Sequence, residues 1–196
     1  MTMTIKEAQD AFKRAKNDHS LDIRFDLVKM AIEQNHYHVF QNHSYYDALL
    51  LTMAMINHAQ KSFFMFIGDG VENFIQQIET DFRAMLHRFR DNDGTAKIIV
   101  LSTEKKNLPS FDTMEREYAG AFTYRATTIQ KENATDYRHF TIADGKMYRI
   151  EEPHEIITEN SNADSIQAEV AFDNVYVVEY LKKVFDSYWK ELENPA

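Results

Sequence analysis

Ile5, Ala8, Phe12 and Ala15 recur at helical spacing, and Leu21, Phe25, Val28 and Ile32 repeat the pattern after a polar break at 17–20. The chain therefore opens with a helical pair, with Ser20 as the expected cap of the second helix. Stripes this narrow must cover either the flank of a sheet or a partner subunit. From residue 44 the pattern changes. Ser44-Tyr45-Tyr46-Asp47 opens a helix with a cap and an acidic third position, and residues 48–56 are apolar nearly all round. Residues 63–67 form a continuous apolar run, as a central strand does when helices cover both its faces. One helix over 71–90, with Phe74, Ile78, Phe82, Met85 and Phe89 along one face, leads to a second apolar strand at 97–101. A helix between two such strands predicts a β-α-β unit with parallel strands. A short helix over 109–118, a strand at 122–127 and a polar connection at 130–136 follow. Two short strands then meet at Asp144-Gly145, a dipeptide suited to a tight hairpin turn. The segment 151–169 carries six carboxylates and no lysine or arginine, so it reads as a solvated, mobile loop. A strand at 167–172 precedes a terminal helix capped by Asp173-Asn174. Its expected buried face is Val177, Val178, Leu181, Val184, Phe185, Tyr188 and Leu192, with Trp189 at the edge.

Composition narrows the classes. A chain of 196 residues that is 44% hydrophobic can bury one substantial core, and we read one domain (44–196) behind a helical extension (1–43). A net charge of −9 opposes a general role on nucleic acid or an anionic membrane, since both need positive potential at the contact. With no cysteine, disulfides, thiolate catalysis and Cys-ligated metal sites are excluded. No apolar run approaches membrane-spanning length and the N-terminus lacks a signal-peptide pattern, so a cytoplasmic protein with no cofactor is expected.

Candidate chemistry falls in four places. His36, His38 and His43 could ligate a metal if the chain folded back, but no motif such as HExxH accompanies them, and a linker whose histidines bond backbone and water is the simpler reading. Gly68-Asp69-Gly70 lacks the lysine and further glycine of a phosphate loop, which leaves turn geometry as its explanation. Arg83, His87 and Arg90 line one helix flank, and Arg83, Arg88 and Arg90 are the candidate set for an acidic partner or nucleic acid. The densest set lies in the hairpin 137–151, where Tyr137, His139, Asp144 and Glu151 stand close together and strand alternation would turn Tyr137 and His139 to one face.

From about residue 44 to 192 the chain resembles one half-unit of the phospholipase D superfamily. The resemblance is carried by the hairpin and by the closing Ala168-Glu169-Val170-Ala171-Phe172-Asp173-Asn174 with its Phe185-Asp186-Ser187-Tyr188-Trp189 helix. It implies a single α/β domain of α/β/α layers with a mixed, mainly parallel sheet behind the N-terminal helical pair. The family signature is His-x-Lys-x4-Asp followed by Gly-Ser. With Asp144 as the aspartate, His139 takes the lysine position, Tyr137 the histidine position, and Glu151 and Glu152 the Gly-Ser position. A phenol is a poor nucleophile at neutral pH, an imidazole is no permanent cation, and two carboxylates repel a phosphodiester. The resemblance thus implies a catalytically silent domain used in binding or assembly, and, because the family builds its cleft from two half-units, a homodimer. Two alternatives stand beside it. One is an atypical phosphodiesterase or nuclease using His139, oriented by Asp144 or Glu151, with Arg138 or Arg149 as the cation and a metal on His139 and Glu151 as a variant. The other is a regulatory element that binds nucleic acid or an acidic partner.

Overall fold

The computed structural model describes residues 3–34, 38–104, 107–129, 137–155 and 157–193. His36 and the connection 130–136 lie outside the described residues. The helices are α1 (Ile5–Asn17), α2 (Asp22–Glu33), α3 (Tyr45–His58), α4 (Val71–Gln77), α5 (Glu79–Asp91), α6 (Pro109–Glu117) and α7 (Val175–Glu193). The strands are β1 (Val39–Asn42), β2 (Ser62–Ile67), β3 (Thr95–Ser102), β4 (Phe122–Thr128), β5 (Phe140–Ala143), β6 (Met147–Glu151) and β7 (Ala168–Ala171). They form one sheet in the order β1-β7-β6-β5-β2-β3-β4.

The sheet is mixed, but parallel pairing is confined to β2, β3 and β4. The pairings of β2 with β5, β5 with β6, β6 with β7 and β7 with β1 are antiparallel, which corrects the expectation of a mainly parallel sheet. The reason is local. The three-residue connection after β5, 144–146, can only reverse the chain, and no helix follows it to carry the chain across a sheet face. The sheet also reaches back to β1 at 39–42, a stretch whose histidines gave it the look of a linker.

Alternation sorts the side chains to two faces. Phe63 and Met65 of β2 and Ile98 and Val100 of β3 join the core beneath α1 to α6, whereas Phe64, Phe66, Ile99 and Leu101 meet α7. Both faces of β2 are covered, as its unbroken apolar run requires. On α7, Val178, Leu181, Phe185 and Trp189 are buried, and each contributes about 1.5–3 kcal/mol by leaving water. Trp189 is thus part of the buried face: Phe185 stacks on it at 5.7 Å, and Lys97 and Arg125 lie over its ring. The expected helix over 71–90 is two helices. Fully buried Ile78 sits between them and bonds Ile75 at i−3, so helical bonding lapses for one residue.

Ser44 caps α3 as expected, its hydroxyl accepting from Asp47 N–H at 3.1 Å. Ser20 does not cap α2, and its hydroxyl donates to the Ala15 carbonyl instead. The α1 stripe (Ile5, Ala8, Phe12) is buried against α3, with Phe12 edge-on to Tyr46. On α2, Val28 and Ile32 are buried while Ile23, Leu27 and Met30 form a second apolar stripe open to water. The acidic segment after β6 is tied down where it meets the N-terminus. Ile5 N–H donates to Ser161 carbonyl, Lys6 N–H to Glu159 carbonyl, and Ala163 N–H to Met3 carbonyl. The segment is irregular and mostly exposed, as expected of a loop, but α1's first-turn N–H groups need acceptors and it supplies them.

Candidate functional site

The end of β2 and the start of β5 lie side by side, and between them and α1 the structure leaves a cavity of about 110 Å³. That is several times the 10–15 Å³ one water requires. Its polar lining comes from His139 ahead of β5, Arg149 and Glu151 on β6, His154 in the following loop, and Tyr45 and Thr52 on α3. Ile5 and Gln9 of α1 and residues 157–159 also line it, so the N-terminal helix contributes to the wall.

Arg149 and Glu151 stand two apart on β6 and so share a face, each only 4% exposed. Arg149 Nη1 donates to Glu151 Oε2 at 3.0 Å, and Arg149 Nε points at Asn42 Oδ1 at 3.4 Å. Nη2 of Arg149 and Oγ1 of Thr52 are buried with no hydrogen-bond partner. Glu151 also faces two imidazoles, His139 Nδ1 at 3.6 Å from Oε2 and His154 Nε2 at 3.5 Å from Oε1, long for hydrogen bonds but close for charge. Burial pushes the Glu151 carboxyl up, yet the Arg149 charge and both imidazoles outweigh it and hold the group well below the usual carboxylate range. Burial pulls the His154 imidazole down, but Glu151 and the Glu155 carbonyl prevail and leave it above its ordinary value. Burial pushes the Tyr45 phenol up to about 12, so it stays protonated, with Gln9 Nε2 donating to its oxygen.

Of the hairpin set, the structure brings together His139 and Glu151 and separates the other two. Tyr137 packs in the α7 core, its ring 6.4 Å from that of Tyr188, while His139 lies on the cavity side. The shared face expected for them fails because regular pairing begins only at Phe140; residues 137–139 precede the strand, and alternation does not govern them. Asp144 sits at the turn, roughly 17 Å along the strand from His139 at about 3.4 Å per residue. There its carboxylate accepts from the N–H groups of Gln60, Lys61 and Ser62 at 2.7, 2.8 and 2.9 Å. Arg138 is exposed and pairs with Glu152, so Arg149 is the cation in the cleft.

Arg83 pairs with Glu79 and Glu117. Arg88 Nη2 donates to the Ile56 carbonyl at the end of α3, and Arg90 contacts His87 Nδ1 at 3.0 Å. Arg83 and Arg90 both reach Tyr118, while Arg88 turns to the end of α3. His154 and Thr52 escaped the sequence reading. His154 stands three residues after Glu151 in a segment dismissed as loop, and Thr52 is a lone hydroxyl on an otherwise apolar helix.

Gly70 has φ of +89° at the cap of α4, the turn role expected of it. Gly68 serves otherwise. A Cβ there would stand 2.7 Å from His139 Nε2 and 2.8 Å from Cε1. We expect Gly68→Ala to displace the His139 ring and to cost about 1–3 kcal/mol through overpacking, read as a lower urea midpoint and a shifted His139 imidazole resonance.

No family model matches the sequence, and no curated protein matches it. Solved structures do. The fold is similar to that of TrmBL2, an archaeal chromatin protein with a novel mode of DNA binding (TM-score 0.56, 19% identity, covering 95% of this chain and 67% of that one). It is also similar to Nuc from Salmonella typhimurium, a phospholipase D family member (TM-score 0.54, 13% identity, 79% of this chain and 93% of that one). NucT from Helicobacter pylori matches at TM-score 0.52 and 11% identity, over 80% of this chain and 96% of that one. The architecture is that of a single phospholipase D-like α/β domain with an N-terminal helical pair. No described helix is long and apolar enough to cross a membrane.

Proposed function

We propose that this chain is a catalytically silent phospholipase D-like domain that binds a small polar ligand in the cavity beside α1 and works as a homodimer. The observation that carries the reading is the parting of Tyr137 and His139 to opposite faces of the sheet. The residue at the family's nucleophile position is outside the cleft, and the cation beside His139 in the cleft, Arg149, is already paired to a buried carboxylate. What remains suits binding. The guanidinium Nη2 and the Thr52 hydroxyl have no partner among the described residues, and the Tyr45 phenol keeps a proton to donate. An oxygen-rich ligand would accept from all three and give the Arg149 Nη2 and Thr52 hydroxyl the partner they lack. The homodimer draws on the family's two half-units per cleft and on the open apolar stripe of α2.

Two measurements test this. Light scattering at micromolar concentration is expected to give twice the chain mass, and a monomer would remove the assembly reading. Assays on bis(p-nitrophenyl) phosphate and on DNA and RNA, with and without divalent metal, are expected to give no turnover above a His139→Ala control. Turnover that vanishes in the control would instead establish the atypical phosphodiesterase.

A second reading, a regulatory element on nucleic acid, is favoured by the match to TrmBL2, which spans 95% of this chain where Nuc and NucT span about four-fifths. It predicts retention of DNA or RNA that weakens steeply with salt. The internal partners of Arg83 and Arg88 and the net charge of −9 rank it second.

A further inference from the structure

The contact between His154 and Glu151 is chemically incomplete while the imidazole is neutral. His154 Nδ1 lies 2.7 Å from the Glu155 carbonyl oxygen, which can only accept, so Nδ1 carries the proton. In the neutral ring Nε2 then presents a lone pair. It is buried, has no hydrogen-bond partner, and faces the Oε1 lone pairs of Glu151 across 3.5 Å. Two electron-pair donors in that position need an electrophile between them, and a proton or a metal ion can fill that place. His139 adds a third donor, with Nδ1 3.6 Å from Oε2 of the same carboxylate.

We propose that His139, Glu151 and His154 form a divalent metal site of the zinc class, with its open position toward the cavity. One ligand atom from each residue lies within 4.8 Å of the others. Donors about 2.1 Å from a tetrahedral ion stand roughly 3.4 Å apart, close to the 3.5 Å between His154 Nε2 and Glu151 Oε1, while His139 Nδ1 lies 3.6 Å from the other oxygen of the same carboxylate. Two imidazoles and a carboxylate, with no cysteine in the chain, form a nitrogen-oxygen set that suits zinc or a similar first-row ion.

The surroundings are arranged as metal ligands require. The Nδ1–H bond to the Glu155 carbonyl fixes the ring and aims Nε2, and Gly68 gives the His139 ring its place. Arg149 holds Glu151 through Oε2 and leaves Oε1 to the ion, and its charge lowers the affinity below that of a site with an unpaired carboxylate. Asp69 also lines the cavity, but its oxygens accept from Ser102 Oγ and from Thr103 N and Oγ1. Because His154 belongs to the segment whose Glu159 and Ser161 carbonyls receive α1, a bound ion would fasten that segment to the sheet beside the cavity.

The site stands whether or not the silent-domain reading does, since zinc binding is measured directly and hydrolysis separately. Full-length protein stripped with EDTA and titrated with Zn²⁺ by calorimetry is expected to bind one ion per chain, with a rise in melting temperature. Co²⁺ in its place should give the visible bands of a four- or five-coordinate nitrogen-oxygen site. His154→Ala and His139→Ala, each checked for folding by circular dichroism, should weaken Zn²⁺ binding at least tenfold, while His87→Ala on α5 should leave it unchanged. Absence of saturable Zn²⁺ binding, or binding unaltered by His154→Ala, overturns the proposal.

Discussion

Glu151→Gln is expected to destabilise the folded protein by about 3–5 kcal/mol, read from the urea midpoint with EDTA present so that metal contributes nothing. The substitution keeps the shape of the side chain and removes its charge. Arg149, 4% exposed, would then lie beneath α1 and α3 with no counter-ion and only neutral acceptors, Asn42 Oδ1 and the new amide oxygen. A buried guanidinium cannot escape by losing its proton, so the cost falls on the fold. Domains of this size are stable by about 5–15 kcal/mol, and a loss of this order would leave many partly unfolded at 37 °C. Replacing both partners separates the charge effect from packing. Arg149→Leu with Glu151→Leu removes the pair and the need for it, and is expected to be less destabilising than Glu151→Gln alone. A loss under 1 kcal/mol in the single variant would mean that water reaches Arg149 in solution.

Period and punctuation made most of the fold legible. The two apolar strands, the amphipathic α7, the Ser44 cap and the hairpin at Asp144-Gly145 all rest on contacts between neighbours in sequence, which is where such signals are strongest. What escaped was settled by distant partners. Val39–Asn42 is a strand because β7 offers it an edge 126 to 132 residues later in the register, and nothing within those four residues says so. Trp189 became core because Lys97 and Arg125 cover its ring, and both lie on other strands. In the site, His139 and Glu151 could be found because they belong to one hairpin. His154 was lost because an acidic loop looks alike whether it is free in water or bonded to a helix N-terminus on the far side of the chain. Tyr137 was misplaced because the pleat was extended past the first paired residue, and one or two irregular residues suffice to send a side chain to the other face.

Asp144 is the residue whose role changes most between sequence and structure, and Asp144→Ala is expected to cost about 2–3 kcal/mol while leaving the cavity's chemistry intact. Its two carboxylate oxygens take three backbone N–H groups from Gln60, Lys61 and Ser62, which tie the hairpin turn to the entry of β2. Such charge-assisted bonds are stronger than neutral ones, and without them the three donors must turn to water or go unpaired. Asp144 also holds φ of +50° beside Gly145 at +69°, the pair of left-handed residues that a tight hairpin requires, and alanine is strained there. Asp144→Gly relieves that strain but not the lost acceptor, so a glycine variant nearly as unstable as alanine would assign the loss to the hydrogen bonds. Asp144→Asn retains one acceptor oxygen and tolerates the backbone, and should fall between wild type and alanine. Amide exchange at residues 60–62 should quicken in all three variants. Zn²⁺ affinity should stay within about twofold of wild type, because the turn and the imidazoles lie at opposite ends of β5; a tenfold loss would show that the aspartate reaches the cleft after all.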